Sequence, residues 1–146
     1  MIEGPLFLDV NIPMYAAGAK HPYREACQWV MAAIAQGKLS AVIDAEIVQE
    51  ILYRYGALER HALAVTLATN VLTLVPEVLP ITRRDVALAI ELFNAYAPQG
   101  IKARDLIHAA VMRNNSLTTL ISADTHFDQI QGITRLDPRQ LYVENR

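Results

Sequence analysis

The sequence predicts an α/β fold with a mainly parallel sheet, because short apolar runs alternate along it with longer stretches of helical period. The length of 146 residues, 53% of them hydrophobic, suits one compact domain spanning 1–146 with a real core. Five runs are candidate strands: P-L-F-L-D-V, S-A-V-I-D, a weaker V-L-T-L-V, L-T-T-L-I-S and I-T-R-L-D.

The stretches between them read as helices. Residues 22–36 carry Pro22 at the start, Ala26, Trp29, Val30, Ala33 and Ile34 at i, i+3, i+4 spacing, and Gly37 after the end. Asp44 is placed to cap the next helix, where Ile47, Val48, Ile51, Leu52 and Tyr55 form an apolar stripe that ends near Gly56. Residues 58–70 follow the same period. Thr82 and Asp85 resemble a capping box ahead of a helix with Val86, Ala89, Ile90 and Phe93 on one face. Residues 98–102 form a loop. The helix at 103–114 is apolar almost all round, which predicts burial on most sides.

Bulk properties exclude several classes. A formal net charge of −2 gives no global basic field, so a polyanion would need a local patch. A single cysteine, Cys27, forms no internal disulfide, and the opening M-I-E-G-P lacks the features of a secretory signal. Nothing approaches the 18 unbroken apolar residues of a membrane span. The expectation is a soluble protein of a reducing cytoplasm.

Ionised carboxylates are costly to bury without a partner, so position selects among the 15 acids. Asp9 ends the first apolar run and Asp124 follows L-T-T-L-I-S-A, both where parallel sheets build sites. Asp105 sits within the apolar helix. Glu50 lies about 60° from Ile47, at the edge of its stripe, whereas Glu46 points nearly opposite the centre of that stripe. Each acid also has a plainer role. Asp9 or Asp124 can cap a following helix, Asp105 can favour a helix dipole, and Glu50 can be a solvated edge residue. Asp44 and Asp128 fit capping or surface roles better. Taken jointly, four carboxylates meeting in one cleft repel one another and call for a hard divalent cation, magnesium or manganese. His21, His61, His108 and His126 make no zinc pattern, and His108 reads as a packed histidine near Asp105.

Taken together, L-F-L-D-V-N, A-E-I-V-Q-E-I-L, A-R-D-L-I-H-A-A and I-S-A-D-T-H-F-D resemble the PIN domain family, and within it the small VapC-like toxins. That resemblance implies a three-layer Rossmann-like fold of about five mainly parallel strands flanked by helices. It places the family's acidic cluster on Asp9, Glu50, Asp105 and Asp124, with Asn11 and Ser122 in support. Asp9, Asp105 and Asp124 would be metal ligands, with Glu50 binding through water or positioning the nucleophile. The implied activity is magnesium-dependent hydrolysis of phosphodiester bonds in RNA, whether tRNA, ribosomal RNA or mRNA. The implied partners are a cognate antitoxin and a second copy of the chain in a homodimer. Basic residues expected around the cleft are Lys102, Arg104, Lys20 and Arg24, then Arg83, Arg84 and Arg113. Tyr15 and Tyr23 are open to stacking on bases or to ordinary packing. Trp29, Val30 and the region from Tyr53 to Tyr55 offer a contact surface or core. Alternative readings are a catalytically silent RNA- or protein-binding module and a processing nuclease that is not a toxin. A haloacid-dehalogenase-like phosphatase fits poorly, because Asn11 stands where it needs a second aspartate.

Overall fold

The computed structural model describes Ile2 and residues 4–146. Among them, β1 (Pro5–Leu8), β2 (Ser40–Asp44), β3 (Val78–Leu79), β4 (Thr119–Ile121) and β5 (Thr134–Leu136) form one sheet in the order β3-β2-β1-β4-β5, every pair parallel. In the central strand, Phe7 is registered with Val42 on one side and Leu120 on the other. Leu6, Phe7 and Leu8 are all buried, as expected for a strand covered on both faces, and this is why the run is continuous rather than alternating. The chain builds β1, β2 and β3 toward one edge and then crosses to add β4 on the other side of β1. A sheet whose strand order reverses in this way opens a crevice at the carboxyl ends of the strands beside the reversal.

The flanking helices are α1 (Asn11–Ala17), α2 (Arg24–Ala35), α3 (Ala45–Ala57), α4 (His61–Leu74), α5 (Arg83–Tyr96), α6 (Ala103–Asn114) and α7 (Pro138–Asn145). Asp44 caps α3 by accepting the Ile47 N–H at 3.1 Å. The expected capping box opens α5 through reciprocal bonds between Thr82 and Asp85. Helix α6 is buried on most sides, with Leu106, Ala110, Val111 and Met112 sealed from solvent.

Four expectations need correction. V-L-T-L-V is the end of α4, because Val71 continues the buried face made by Ala64, Leu67 and Ala68; the strand is the next apolar pair, Val78–Leu79, after Pro76 has broken the helix. The helix expected at 58–70 accordingly runs from His61 to Leu74, and the one expected from Pro22 begins at Arg24. The expected inner face of α5 is rotated by one residue, about 100°. Asp85, Ala89 and Leu92 face inward, and Val86, Ile90 and Phe93 are exposed. That rotation lets Asn114 at the end of α6 donate to Asp85 at 2.8 Å. Of the two readings open for Val30 and Tyr55, contact surface or core, burial decides for the core. Trp29 is half-buried against Tyr142, with ring centroids 6.1 Å apart, and Tyr53 is exposed.

Candidate active site

Three acids stand at strand ends, and two of them, Asp9 and Asp124, line the crevice. Asp9 follows β1 directly, Asp44 is the last residue of β2, and Asp124 comes three residues after β4 ends. Asp9, Glu50, Asp105 and Asp124 all line one pocket of about 280 Å³, together with Asn11, Tyr15, Arg54, Lys102 and Arg104. Asp9, Glu50 and Asp105 are almost sealed from solvent, at 3%, 2% and 8% exposure, so Glu50 is no solvated edge residue. Asp124 is half-buried at the rim and also caps the 3₁₀ turn Thr125–Gln129 by accepting the His126 N–H at 2.9 Å.

Neutral donors hold Asp9 in place. The Val10 N–H donates to its Oδ1 at 2.8 Å, while Asn11 Nδ2 at 3.1 Å and the Ser122 hydroxyl at 2.6 Å donate to its Oδ2. Asn11 also donates to Ser122 Oγ and accepts the Ala123 N–H, tying the start of α1 to the segment after β4. Ser122 Oγ in turn accepts the Asp124 N–H at 3.0 Å. Asn11 and Ser122 therefore orient Asp9 and Asp124 through one continuous set of bonds. Behind them, the Arg135 guanidinium donates to the Ser122 carbonyl at 2.9 Å and pairs with Asp128 and Asp137, bracing this wall from β5.

Cations hold the opposite wall. Glu50 pairs with Arg54, one turn along α3, at 2.9 Å and with Arg104 of α6 at 3.2 Å. Beneath it lies His108, with no exposure at all, whose Nδ1 donates to Asp44 Oδ2 at 2.8 Å and whose Nε2 stands 3.6 Å from Glu50 Oε1. Those facing atoms, Glu50 Oε1 and His108 Nε2, are the buried side-chain atoms without a hydrogen-bond partner among the described residues. The expectation of a merely packed histidine is corrected: His108 is an ion-pair partner of two acids. Asp44 caps α3 as expected but is wholly buried rather than at the surface. Sequence reasoning missed the link because the Asp44 and His108 partners are 64 positions apart. It also missed Arg54, whose signal was an i, i+4 spacing from Glu50.

The titration behaviour follows from these partners. Burial opposes a charged His108, but the bond to Asp44, the facing Glu50 carboxylate and the charges of Asp44 and Asp9 push it up to about 10. Burial likewise opposes an ionised Glu50, yet His108, Arg104 and Arg54 outweigh it and hold that carboxyl below its ordinary value. Asp9 is raised, chiefly by burial, against the help of His108, Ser122 and Val10. Asp105 is pushed up to about 7 by burial and by the Asp9 charge, with Asp124 and Glu50 adding to it and His108 opposing. This part of the pocket is short of positive charge.

Among the described residues, no three His, Cys, Asp or Glu side chains converge closely enough to hold an ion as they stand. The acids share one pocket without forming a ready-made coordination sphere, and Glu50 is turned toward its arginines. The donor set nevertheless suits a hard divalent cation. It consists of carboxylate oxygens, and Asp105 has no cation of its own while three neighbouring carboxylates act on it. Of the expected basic residues, Lys102 and Arg104 line the pocket. Lys20, Arg24, Arg83 and Arg84 are exposed outside it, and Arg113 is used on the Gln131 carbonyl at 3.1 Å.

Comparison with known proteins agrees with this architecture. The pattern of the PIN domain matches residues 6–133. Ribonuclease VapC13 of Mycobacterium tuberculosis is 40% identical over 131 residues, covering 90% of this chain and 98% of the relative. Ribonuclease VapC7 of the same organism is 30% identical over 138 residues, covering 91% of each. Among solved structures, VapBC from Salmonella typhimurium bound to DNA superposes with a TM-score of 0.72 at 15% identity, over 92% of this chain and 98% of that one. VapC20 of Mycobacterium tuberculosis, a sarcin-ricin loop cleaving toxin, superposes with a TM-score of 0.69 at 17% identity, over 88% and 98%.

Proposed function

This chain belongs to the PIN domain family and, within it, to the VapC ribonucleases, and from that footing we propose that its acidic pocket hydrolyses phosphodiester bonds in RNA with the help of a divalent cation. The observation that carries the reading is the convergence of Asp9, Glu50, Asp105 and Asp124, drawn from four separate parts of the chain, on one pocket at the carboxyl end of the sheet. In this reading the protein is the toxin of a VapBC-type pair, with an antitoxin as its protein partner.

Asp9, Asp105 and Asp124 would hold the cation, magnesium or manganese, with Glu50 acting through water. When bound, such an ion supplies an activated water and neutralises charge on the phosphate. The chain's own groups do the rest. Asn11 and Ser122 keep the Asp9 oxygens facing the pocket and set the backbone that carries Asp124. Lys102, Arg104 and Arg54 at the mouth offer positive charge to the phosphates on either side of the scissile bond. Buried beneath Glu50, His108 offsets acidic charge that would otherwise disfavour both folding and the approach of RNA.

The test uses the protein purified without any partner. It should cut single-stranded RNA when magnesium or manganese is supplied and stop on addition of chelator. Asp9→Asn keeps the side chain's size and removes its charge, and should lower cleavage by roughly 10³-fold, about 4 kcal/mol of transition-state stabilisation. Cleavage at the parent rate by that variant would refute the assignment.

A further inference from the structure

An aromatic cluster beside the acids has no part in the scheme above. Tyr15 stands one turn after Asn11 on α1 and lines the same pocket. In the segment joining α1 to α2, His21 stacks on it with ring centroids 4.3 Å apart and planes 22° apart. Tyr23 lies nearly parallel to both, 5.6 Å from Tyr15 and 6.0 Å from His21. These rings sit at the edge of the core: His21 is exposed, and both tyrosines are half-buried, each with one side packed against the core. Bonds hold two of the three rings in place. His21 Nδ1 accepts the Tyr23 N–H at 3.1 Å, which assigns the ring proton to Nε2 and leaves that atom as a donor. The Tyr23 hydroxyl donates to Asp137 at 3.1 Å, and the Arg139 guanidinium lies 5.6 Å over the Tyr23 ring. Lys20 and Arg24 flank the group in sequence, both exposed.

Parallel rings at the surface, held by backbone and side-chain bonds and beginning inside an acidic phosphodiester-cutting pocket, match what an unpaired nucleobase needs. Stacking on a preordered ring requires little further ordering of the protein, and every base offers a π-face. We propose that the Tyr15, His21 and Tyr23 rings form a base-stacking subsite that seats an unpaired nucleobase of the RNA next to the phosphodiester facing the carboxylates. The inference rests on the ribonuclease reading. It assigns substrate selection to α1 and the segment after it, so that the choice of cutting site depends on a splayed-out base and not on the acids.

The experiment measures binding of labelled single-stranded RNA by fluorescence anisotropy, with Asp9→Asn as the background so that the RNA stays whole. A parallel set of oligonucleotides lacks one base at a time. Tyr15→Ala with His21→Ala should weaken binding about 10- to 100-fold without changing its salt dependence, because no phosphate contact is lost. Tyr15→Phe with His21→Phe should bind within a few-fold of the background, which also controls for folding; His21→Ala alone, at an exposed ring, gives a second measure. Removing one particular base should weaken binding to the background protein and have little further effect on the alanine variant. Alanine variants that bind like the background would overturn the subsite, as would weaker binding with undiminished sensitivity to the missing base. If the parent protein neither binds nor cuts RNA, the ribonuclease reading fails and takes the subsite with it.

Discussion

The two walls of the pocket hold their acids by opposite means. On the β1–β4 side, Asp9 is fixed by neutral donors, the Val10 N–H, Asn11 and Ser122, and its carboxyl is still raised. On the α3–α6 side, Glu50 is fixed by His108, Arg104 and Arg54 and is lowered. Hydrogen bonds from neutral groups aim a carboxylate, but they offset burial less than a full positive charge does. Asp105 lies between the walls with neither kind of partner and is raised to about 7. The molecule thus directs its positive side chains to one wall and leaves the other short of charge, which is where a cation fits.

Removing His108 should break the comparison most severely. His108→Leu strips the buried Asp44 and Glu50 of their shared cation, and loss of one member of a buried ion pair costs about 3–5 kcal/mol, or roughly 10 °C in melting temperature. The pH dependence has a definite sign. A histidine raised to about 10 in the folded protein contributes stability that is complete below about pH 6.5 and is lost as pH rises through about 10. Thermal melts from pH 7 to 10.5 should show that loss in the parent protein and not in His108→Leu. Equal slopes in both would remove His108 from the account.

A neutral donor on the other wall should matter to chemistry more than to stability. Ser122→Ala leaves Asp9 its bonds from Val10 and Asn11 while loosening the carboxylate, and should lower RNA cleavage about 10- to 100-fold. Its melting temperature should move by only a few degrees. The smallest effect comes from the acid without a partner. Asp105→Asn should stabilise the protein in chelator by about 1–2 kcal/mol above pH 7, because a carboxyl raised to about 7 costs stability as it ionises. That gain should vanish below about pH 3, where the acid is neutral in both the folded and unfolded chain.

How far the sequence alone reveals this site depends on which interactions are local. Asp9 and Asp124 are legible because a parallel strand ends in a recognisable apolar run, and Glu50 because helical period places it beside a buried stripe. Asp105 stands out as an acid in an apolar helix. Illegible are the interactions that join distant elements: Asp44 with His108, Arg104 with Glu50, and Arg135 bracing the Ser122 segment. The same limit explains α5. Two overlapping stripes of helical period lie one residue apart on it, and the face turned inward, Asp85, Ala89 and Leu92, is the one that places Asp85 within reach of Asn114 on distant α6. V-L-T-L-V misleads because a short apolar run reads equally well as a strand or as the last turn of a buried helix.

The most direct test of the central claim is to locate manganese by anomalous scattering in crystals grown or soaked with that ion. The account predicts an anomalous peak in the pocket, within coordination distance of carboxylate oxygens from both Asp9 and Asp105. A peak bound by other residues, or none in a protein that still cuts RNA, would contradict it.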